Sequence, residues 1–250
     1  MHNSYHLVLT SDLHSVTSFF SLSPAALYFL FLVFIFVPLA GVAAYLRIRS
    51  GKPLHPKRRR YAITIAMQVF ILAVTFWAAR VGDIQLLGTR WGDPVLWLVV
   101  IGYMVLLTIR VHRLWRKLCD TRKQQAARLL PDDPSLMPLW IGLSLLAAIS
   151  EECAYRGLAY QLLRSVGLNV GLALLACVAT FAIGHMSQGW RGVLGTSALA
   201  LLFHGLVFIT GALYLAIAFH AAYNVTVGVI AMPILREFAK KQDAVQATRA

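Results

Sequence analysis

Two adjacent glutamates and an arginine interrupt an apolar part of the sequence. Glu151, Glu152 and Arg156 lie in SEECAYRG, directly after the apolar residues 136–149 and before further apolar residues. A charged side chain near the centre of a membrane helix costs roughly 2.5–3.5 kcal/mol on insertion scales. On a helix, Glu152 and Arg156 are four residues apart and can form an ion pair, whereas Glu151 is rotated by about 100° from Glu152. The pattern therefore predicts one paired acid and one acid that is free to face a cavity.

Two further motifs place imidazoles and an amide in apolar segments. Phe181 and His185 are four residues apart in FAIGH, and His220 and Asn224 are four residues apart in HAAYN. A buried carboxylate beside an imidazole can activate a water molecule, and a second histidine with an amide can stabilise the oxyanion that forms on a scissile carbonyl. The same histidines and a glutamate could instead hold Zn²⁺, although the sequence contains no HExxH motif.

Residue counts from the turns predict which of these groups meet. Glu151 and His185 both lie roughly 20–24 Å from the turn at residues 164–169, at about 1.5 Å per residue. The turn at residues 210–212 puts His220 about 12 Å deep and His204 about 10 Å deep. The count brings Glu151 to His185 and leaves a gap to His220 that helix tilt would have to close. We expect His204 to be a structural histidine, hydrogen-bonded between helices; a role at the edge of the site is the alternative.

The composition places these motifs in a membrane protein. Hydrophobic residues make up 59% of the 250 residues and charged residues 13%, with a mean hydropathy of +0.69; soluble domains carry about 25% charged residues. We predict an all-α, polytopic membrane helix bundle of about seven transmembrane helices, in the plasma (inner) membrane if the host is bacterial. A bilayer requires roughly 20 apolar residues per helix. The predicted spans cover residues 24–46, 61–79, 94–109, 136–163, 170–186, 192–210 and 212–233.

The net charge of +13 is concentrated in the loops between these spans. The loops at residues 47–60 and 110–133 are strongly basic, and the loop at residues 80–93 is balanced. The positive-inside rule places the basic loops and the C-terminal tail in the cytoplasm and the N-terminus outside. We therefore expect membrane lipids, and no nucleic acid, as partners of the basic residues. Within the second basic loop, residues 114–130 have the pattern of a basic amphipathic surface helix.

The N-terminal segment and the cysteines predict little chemistry. Residues 1–24 contain no Lys or Arg before the first apolar run, so we expect a short extramembrane tail and no signal peptide. Cys119, Cys153 and Cys177 have the spacing of neither a disulfide framework nor a zinc motif. We expect the latter two to be small core residues.

The three motifs together resemble the CPBP (Abi) family of intramembrane proteases, whose eukaryotic member is the Ras-converting type II CAAX prenyl endopeptidase. EECAYR fits EExxxR, FAIGH fits FxxxH, and HAAYN fits HxxxN, in that order and on apolar segments. The resemblance covers residues 136–233, the expected catalytic helical core. An N-terminal membrane region of three helices (1–135) precedes this core, and a cytoplasmic tail (234–250) follows it.

The resemblance also assigns roles to the motif residues. It implies that Glu151 activates water with the help of His185, while His220 and Asn224 form the oxyanion site. Three further residues would support the site: Glu152, Arg156 and Phe181.

The activity implied is that of an intramembrane endopeptidase. It would hydrolyse a peptide bond near the end of a peptide or of a protein, with or without a prenyl group. The family has been described both as metalloproteases and as metal-free glutamate proteases. In the first case Glu151, His185 and His220 would hold the metal, in the second no cofactor is needed; the absence of clear ligand spacing favours the second.

Two other functions remain open from the sequence. A non-catalytic scaffold or bacteriocin-immunity-type protein of the same fold would use these polar groups to hold helices together. A transporter would more readily show repeated halves or broken helices, and neither is evident.

Overall fold

The computed structural model describes residues 22–88 and 93–247. The predicted extramembrane tail lies, up to residue 21, outside the described residues, as do residues 89–92 of the balanced loop at residues 80–93. The described residues form helices and no strands, which confirms the all-α prediction. We number the eight helices in chain order: α1 Pro24–Arg49, α2 Lys57–Val81, α3 Pro94–Arg116, α4 Asp120–Ala127, α5 Pro134–Ser165, α6 Val170–Gly184, α7 Trp190–Thr210 and α8 Tyr214–Ala247.

Short polar side chains define where several of these helices begin. Ser23 Oγ accepts a hydrogen bond from the amide of Ala26 at 3.2 Å, at the start of α1. Asp133 caps α5 in the same way, through a 2.7 Å bond from the amide of Ser135. The hydrogen bonds from Ser135 also lower the pKa of the exposed Asp133 carboxyl. In both helices the next residue is a proline, which lacks the amide hydrogen that a first turn leaves unpaired.

Six of the described helices, all except α4 and α6, are long and apolar enough to cross a membrane. Their outer faces carry exposed apolar side chains, such as Leu98 at 68% and Ile209 at 72% exposure. Helix α6 has 15 residues, or about 22 Å, and is shorter than the roughly 30 Å hydrocarbon core. A helical membrane bundle is therefore confirmed, while the count of seven spans is not.

Three element boundaries differ from the prediction. A single helix over residues 114–130 is wrong: α3 ends at Arg116, and α4 starts only after Cys119, whose backbone is extended (φ −69°, ψ 159°). Helix α6 ends at Gly184 and is followed by a 3-10 turn, Met186–Gln188. Helix α8 continues through Pro233 to Ala247. The division of the chain into residues 1–135, 136–233 and 234–250 stays a prediction.

Helix α5 lies at the centre of the bundle. It contains a π-helical segment, Glu152–Ala159, between two α-helical parts. The α-helical part before this segment packs against α2 and α8, and the segment itself contacts α1, α2, α6 and α7. Every residue of the segment is buried, including Cys153, which is a core residue as predicted, like Cys177 on α6. The polar residues of the EECAYR motif are thus enclosed on several sides by other helices.

Candidate active site

The two adjacent glutamates lie at a change in helix type. Glu151 is the last residue of the α-helical part Met137–Glu151, and Glu152 is the first residue of the π-helical segment. Hydrogen bonds in a π-helix join residues i and i+5, which alters the rotation per residue, and such segments occur frequently at functional sites. The irregularity lies at the point where the chain presents two acids to different neighbours.

Glu152 is fully enclosed and paired. Its Oε1 atom lies 3.2 Å from Nη1 of Arg156, and both side chains are 0% exposed. The predicted ion pair is therefore present. The Arg156 guanidinium also lies over the rings of Phe181 at 4.5 Å and Phe203 at 5.5 Å, where the electron-rich faces attract a cation. These contacts neutralise both buried charges inside the bundle.

His220, on α8, connects the two glutamates. Its Nδ1 atom donates a 2.8 Å hydrogen bond to Oε1 of Glu152, and its Nε2 atom lies 3.8 Å from Oε2 of Glu151. The ring stacks on Phe203 with a centroid distance of 5.0 Å. The sequence grouped His220 with Asn224 on one helix face; the structure holds the His220 ring between the two acids.

Glu151 faces two imidazoles. Its Oε2 atom lies 4.0 Å from Nε2 of His185 and 3.8 Å from Nε2 of His220, and the Glu151 side chain is 13% exposed. These distances are too long for direct hydrogen bonds and suit groups that share a bridging molecule. The predicted meeting of Glu151 and His185 is observed, and the gap to His220 left by the residue count is closed.

His185 is held at the end of α6. Its Nδ1 atom donates to the carbonyl oxygen of Phe181 at 2.8 Å, and the two rings lie 4.6 Å apart. Because Nδ1 carries the hydrogen, Nε2 of a neutral ring has the lone pair, and it is this atom that faces Glu151. The preceding residue, Gly184, packs closely on α1, since a Cβ atom on Gly41 would lie 2.5 Å from the carbonyl oxygen of Gly184.

The segment that carries these residues matches a known protein family. Residues 133–226 of the 250 match the family model described as type II CAAX prenyl endopeptidase Rce1-like. This segment is therefore similar to the type II CAAX prenyl endopeptidase family over less than half of the chain. The match confirms the family predicted from the three motifs, and the family points to a protease. No match was found among curated proteins or among solved structures.

The similarity to the CAAX endopeptidase family also bears on the setting of the site. The family implies a peptide or prenylated substrate and a membrane environment. The six long apolar helices and the family both fit an integral, multi-pass membrane protein.

Asn224 is the one motif residue that the structure does not bring to the site. Its carbonyl oxygen accepts a 3.0 Å hydrogen bond from Nε1 of Trp140. Its half-buried side chain has no hydrogen bond to the site residues within the part of the chain that the structure describes. Its role in oxyanion binding stays a prediction, based on its position one turn after His220.

His204 is buried but does not join two helices by a hydrogen bond. Its Nδ1 atom donates to the carbonyl oxygen of Ala200 on the same helix, α7, at 3.0 Å. The ring packs edge-on against Tyr160, at a centroid distance of 5.9 Å. The expected inter-helix hydrogen bond was therefore wrong, because a histidine within a helix can reach the carbonyl four residues earlier.

Two polar residues of the site were missed by the sequence reasoning. Gln68 on α2 donates a 2.6 Å hydrogen bond from Nε2 to Oε1 of Glu151. Ser150 donates from its hydroxyl to Oε1 of Gln68. A lone glutamine in the apolar residues 61–79 was the available signal, since buried polar side chains in membrane helices need partners. It carries no charge and belongs to no motif, so its spacing did not single it out.

A bound metal is not supported by the part of the chain that the structure describes. Within residues 22–88 and 93–247, no three His, Cys, Asp or Glu side chains are arranged to hold a metal ion. We therefore assign no step of the reaction to a metal.

Proposed function

We propose that the protein is an intramembrane endopeptidase that hydrolyses a peptide bond near the end of a peptide or of a protein. The observation that carries the proposal is the arrangement of Glu151, whose Oε2 atom faces Nε2 of both His185 and His220. A carboxylate and two ring nitrogens around one point can hold a water molecule and accept its proton. The family match over these same residues supports a protease.

Glu151 acts as the general base in this proposal. Its Oε2 atom accepts a proton from water as the water oxygen bonds to the scissile carbonyl carbon. The carbonyl oxygen becomes an oxyanion, and the C–N bond breaks as the proton moves from Glu151 to the leaving nitrogen. The products are a carboxylic acid and an amine. His185 orients the water through its free Nε2 atom.

His220 and Asn224 stabilise the oxyanion in the same proposal. Because Nδ1 of His220 donates to Glu152, only Nε2 is available to the substrate, and it donates when the ring is doubly protonated. The Asn224 amide, one turn along α8, is the second donor. Glu152 and Arg156 hold the His220 ring in place, which is a positioning role.

Peptide cleavage by the purified, detergent-solubilised protein tests the proposal. The substrates are a peptide that ends in a farnesylated CAAX sequence and the same peptide without the farnesyl group, and mass spectrometry locates the cut. We expect cleavage by the unmodified protein and none by Glu151→Gln. Cleavage of the farnesylated peptide alone identifies a prenylated substrate, whereas equal cleavage of both identifies the peptide as the recognised part. Failure to cut any peptide supports a scaffold instead.

The metal content of the same preparation tests the metal-free reaction. We expect activity to persist after strong chelation, with less than one metal ion per chain. Stoichiometric zinc, together with activity that is lost on chelation and restored by zinc, would contradict the role of Glu151 as the base itself.

A further inference from the structure

Gln68 connects α2 to the carboxylate that we propose as the base. The Gln68 side chain is buried, with 8% exposure. Its Nε2 atom donates to Oε1 of Glu151 at 2.6 Å, and its Oε1 atom accepts from the hydroxyl of Ser150. The three side chains therefore form a short chain of hydrogen bonds that ends on the carboxylate.

The direction of this chain is fixed by the carboxylate at its Glu151 end. A carboxylate oxygen only accepts hydrogen bonds, so Gln68 must turn its NH₂ group towards Glu151. Its carbonyl oxygen then faces Ser150, whose hydroxyl is a donor. Ser150 precedes Glu151 in the chain, so one turn of α5 contacts both ends of the same amide.

The amide leaves the two carboxylate oxygens with different partners. Oε1 of Glu151 is engaged by Gln68, while Oε2 faces the imidazoles of His185 and His220. Without the amide, the carboxyl group can rotate about its last torsion, which has a broad energy minimum. The Gln68 amide therefore selects the rotation of the carboxyl group in which Oε2 faces His185 and His220.

We propose that Gln68 is a positioning residue for Glu151 and that the Ser150 hydroxyl helps to hold its amide in place. The proposal rests on the proposed function. Gln68 lies outside the segment that matches the family, residues 133–226. The N-terminal helices thereby contribute to the site, and the matched segment alone lacks one of the contacts that orient its base.

A double-mutant cycle on kcat and KM tests the proposal in the full-length protein. Gln68→Leu keeps the approximate shape of the side chain and removes both hydrogen bonds. We expect kcat to fall roughly 10–100-fold, as is typical when a group that orients a reactive residue is lost, with KM within about twofold. Ser150→Ala should lower kcat less, and should have no further effect on the Gln68→Leu background, since both changes break one chain of contacts.

Thr75→Val is the matched control. Thr75 lies seven residues after Gln68 on α2 and is fully buried. Among the described residues, its hydroxyl donates only to the carbonyl of Ile71 on its own helix, at 2.7 Å. This change removes a buried polar group of α2 and should leave kcat unchanged. Normalising each rate to the monodisperse, folded fraction separates positioning from folding.

Several outcomes overturn the proposal, and they can be told apart from failure of the proposed function. A kcat of Gln68→Leu within twofold of the unmodified protein, while Glu151→Gln is inactive, overturns the positioning role alone. So does a further loss from Ser150→Ala on the Gln68→Leu background. Activity in Glu151→Gln, or no cleavage by the unmodified protein, overturns the proposed function and this inference with it.

Discussion

The two adjacent glutamates occupy opposite kinds of environment. Glu152 is 0% exposed and contacts the cation of Arg156 and Nδ1 of His220. Glu151 is 13% exposed, accepts one hydrogen bond from the neutral amide of Gln68, and approaches two ring nitrogens without touching them. The charge of the Glu152 carboxylate is neutralised inside the protein, whereas the Glu151 carboxylate keeps its Oε2 atom available for a hydrogen bond to another molecule.

Because of this difference, substitutions at the two adjacent glutamates should affect stability differently. A buried ion pair is costly to break because the remaining partner is left charged and unsolvated. A carboxylate beside neutral donors can lose its charge without that penalty. We therefore expect loss of one charge of the Glu152–Arg156 pair to alter folding and activity together, and loss of the Glu151 charge to alter activity alone.

The largest effect is expected from Arg156→Ala. It leaves the Glu152 carboxylate buried without its cation, which costs about 3–5 kcal/mol of folding free energy. The level of folded protein after detergent extraction and the thermal unfolding midpoint should both fall, and cleavage should be lost. The double change Glu152→Gln with Arg156→Met is its control, because it removes both charges and should recover much of the stability. Recovery of cleavage in that double variant would contradict the positioning role of Glu152.

Glu151→Gln should separate activity from stability. The neutral amide cannot accept a proton from water, so cleavage should fall roughly 10²–10⁴-fold. Its oxygen can still accept from Gln68, and the unfolding midpoint should stay within a few degrees of the unmodified value. Glu237→Gln, at an exposed site on α8, is a control that should retain full activity. A large loss of stability in Glu151→Gln would place this residue in the same class as Glu152.

The sequence predicted which charged and imidazole side chains meet, but it predicted neither the π-helical segment nor the contact of Gln68. Turn counts were enough to bring Glu151 to His185, because they depend on the rise of regular helices. The four-residue spacing of Glu152 and Arg156 also predicted their ion pair, although both residues lie in the π-helical segment. The π-helical segment was not predictable, since it depends on contacts with the surrounding helices. Gln68 lies on a helix distant in sequence, and only the packing of α2 on α5 shows what its amide meets.

Asn224 and Pro233 also show what a sequence pattern does not determine. Asn224 was grouped with His220 by its four-residue spacing, yet a shared helix face does not determine which neighbour a side chain meets. Pro233 suggested the end of the last span, whereas α8 continues to Ala247. A proline removes one hydrogen bond from a helix, and this loss alone does not decide where a long helix stops.

Asn224→Ala tests whether the Asn224 side chain, one turn after His220 on α8, binds the oxyanion. If the Asn224 amide is a donor to the oxyanion, its removal should lower kcat roughly 10²–10³-fold with little change in KM. The backbone contact of Asn224 with Trp140 does not use the side chain, so the unfolding midpoint should hold. A kcat within threefold of the unmodified value would remove Asn224 from the site and leave His220 as the donor.

Gly41→Ala should have the smallest effect on cleavage, and it should reach the site only through His185, which faces Glu151. The added methyl group would lie 2.5 Å from the carbonyl oxygen of Gly184 and 2.7 Å from that of Ile183, so α1 must move away from the end of α6. Overpacking of this kind costs about 1–3 kcal/mol.

His185 follows Gly184 directly, so the distance from its Nε2 atom to Glu151 should change, while the contacts of Glu152 stay intact. Cleavage per folded molecule should therefore fall. Gly102→Ala on α3 is the matched control, because nothing lies within 4 Å of the added methyl; it should be neutral or slightly stabilising, since alanine is the better helix former. Unchanged cleavage in Gly41→Ala, despite a lower unfolding midpoint, would show that the position of His185 does not depend on the packing of α1.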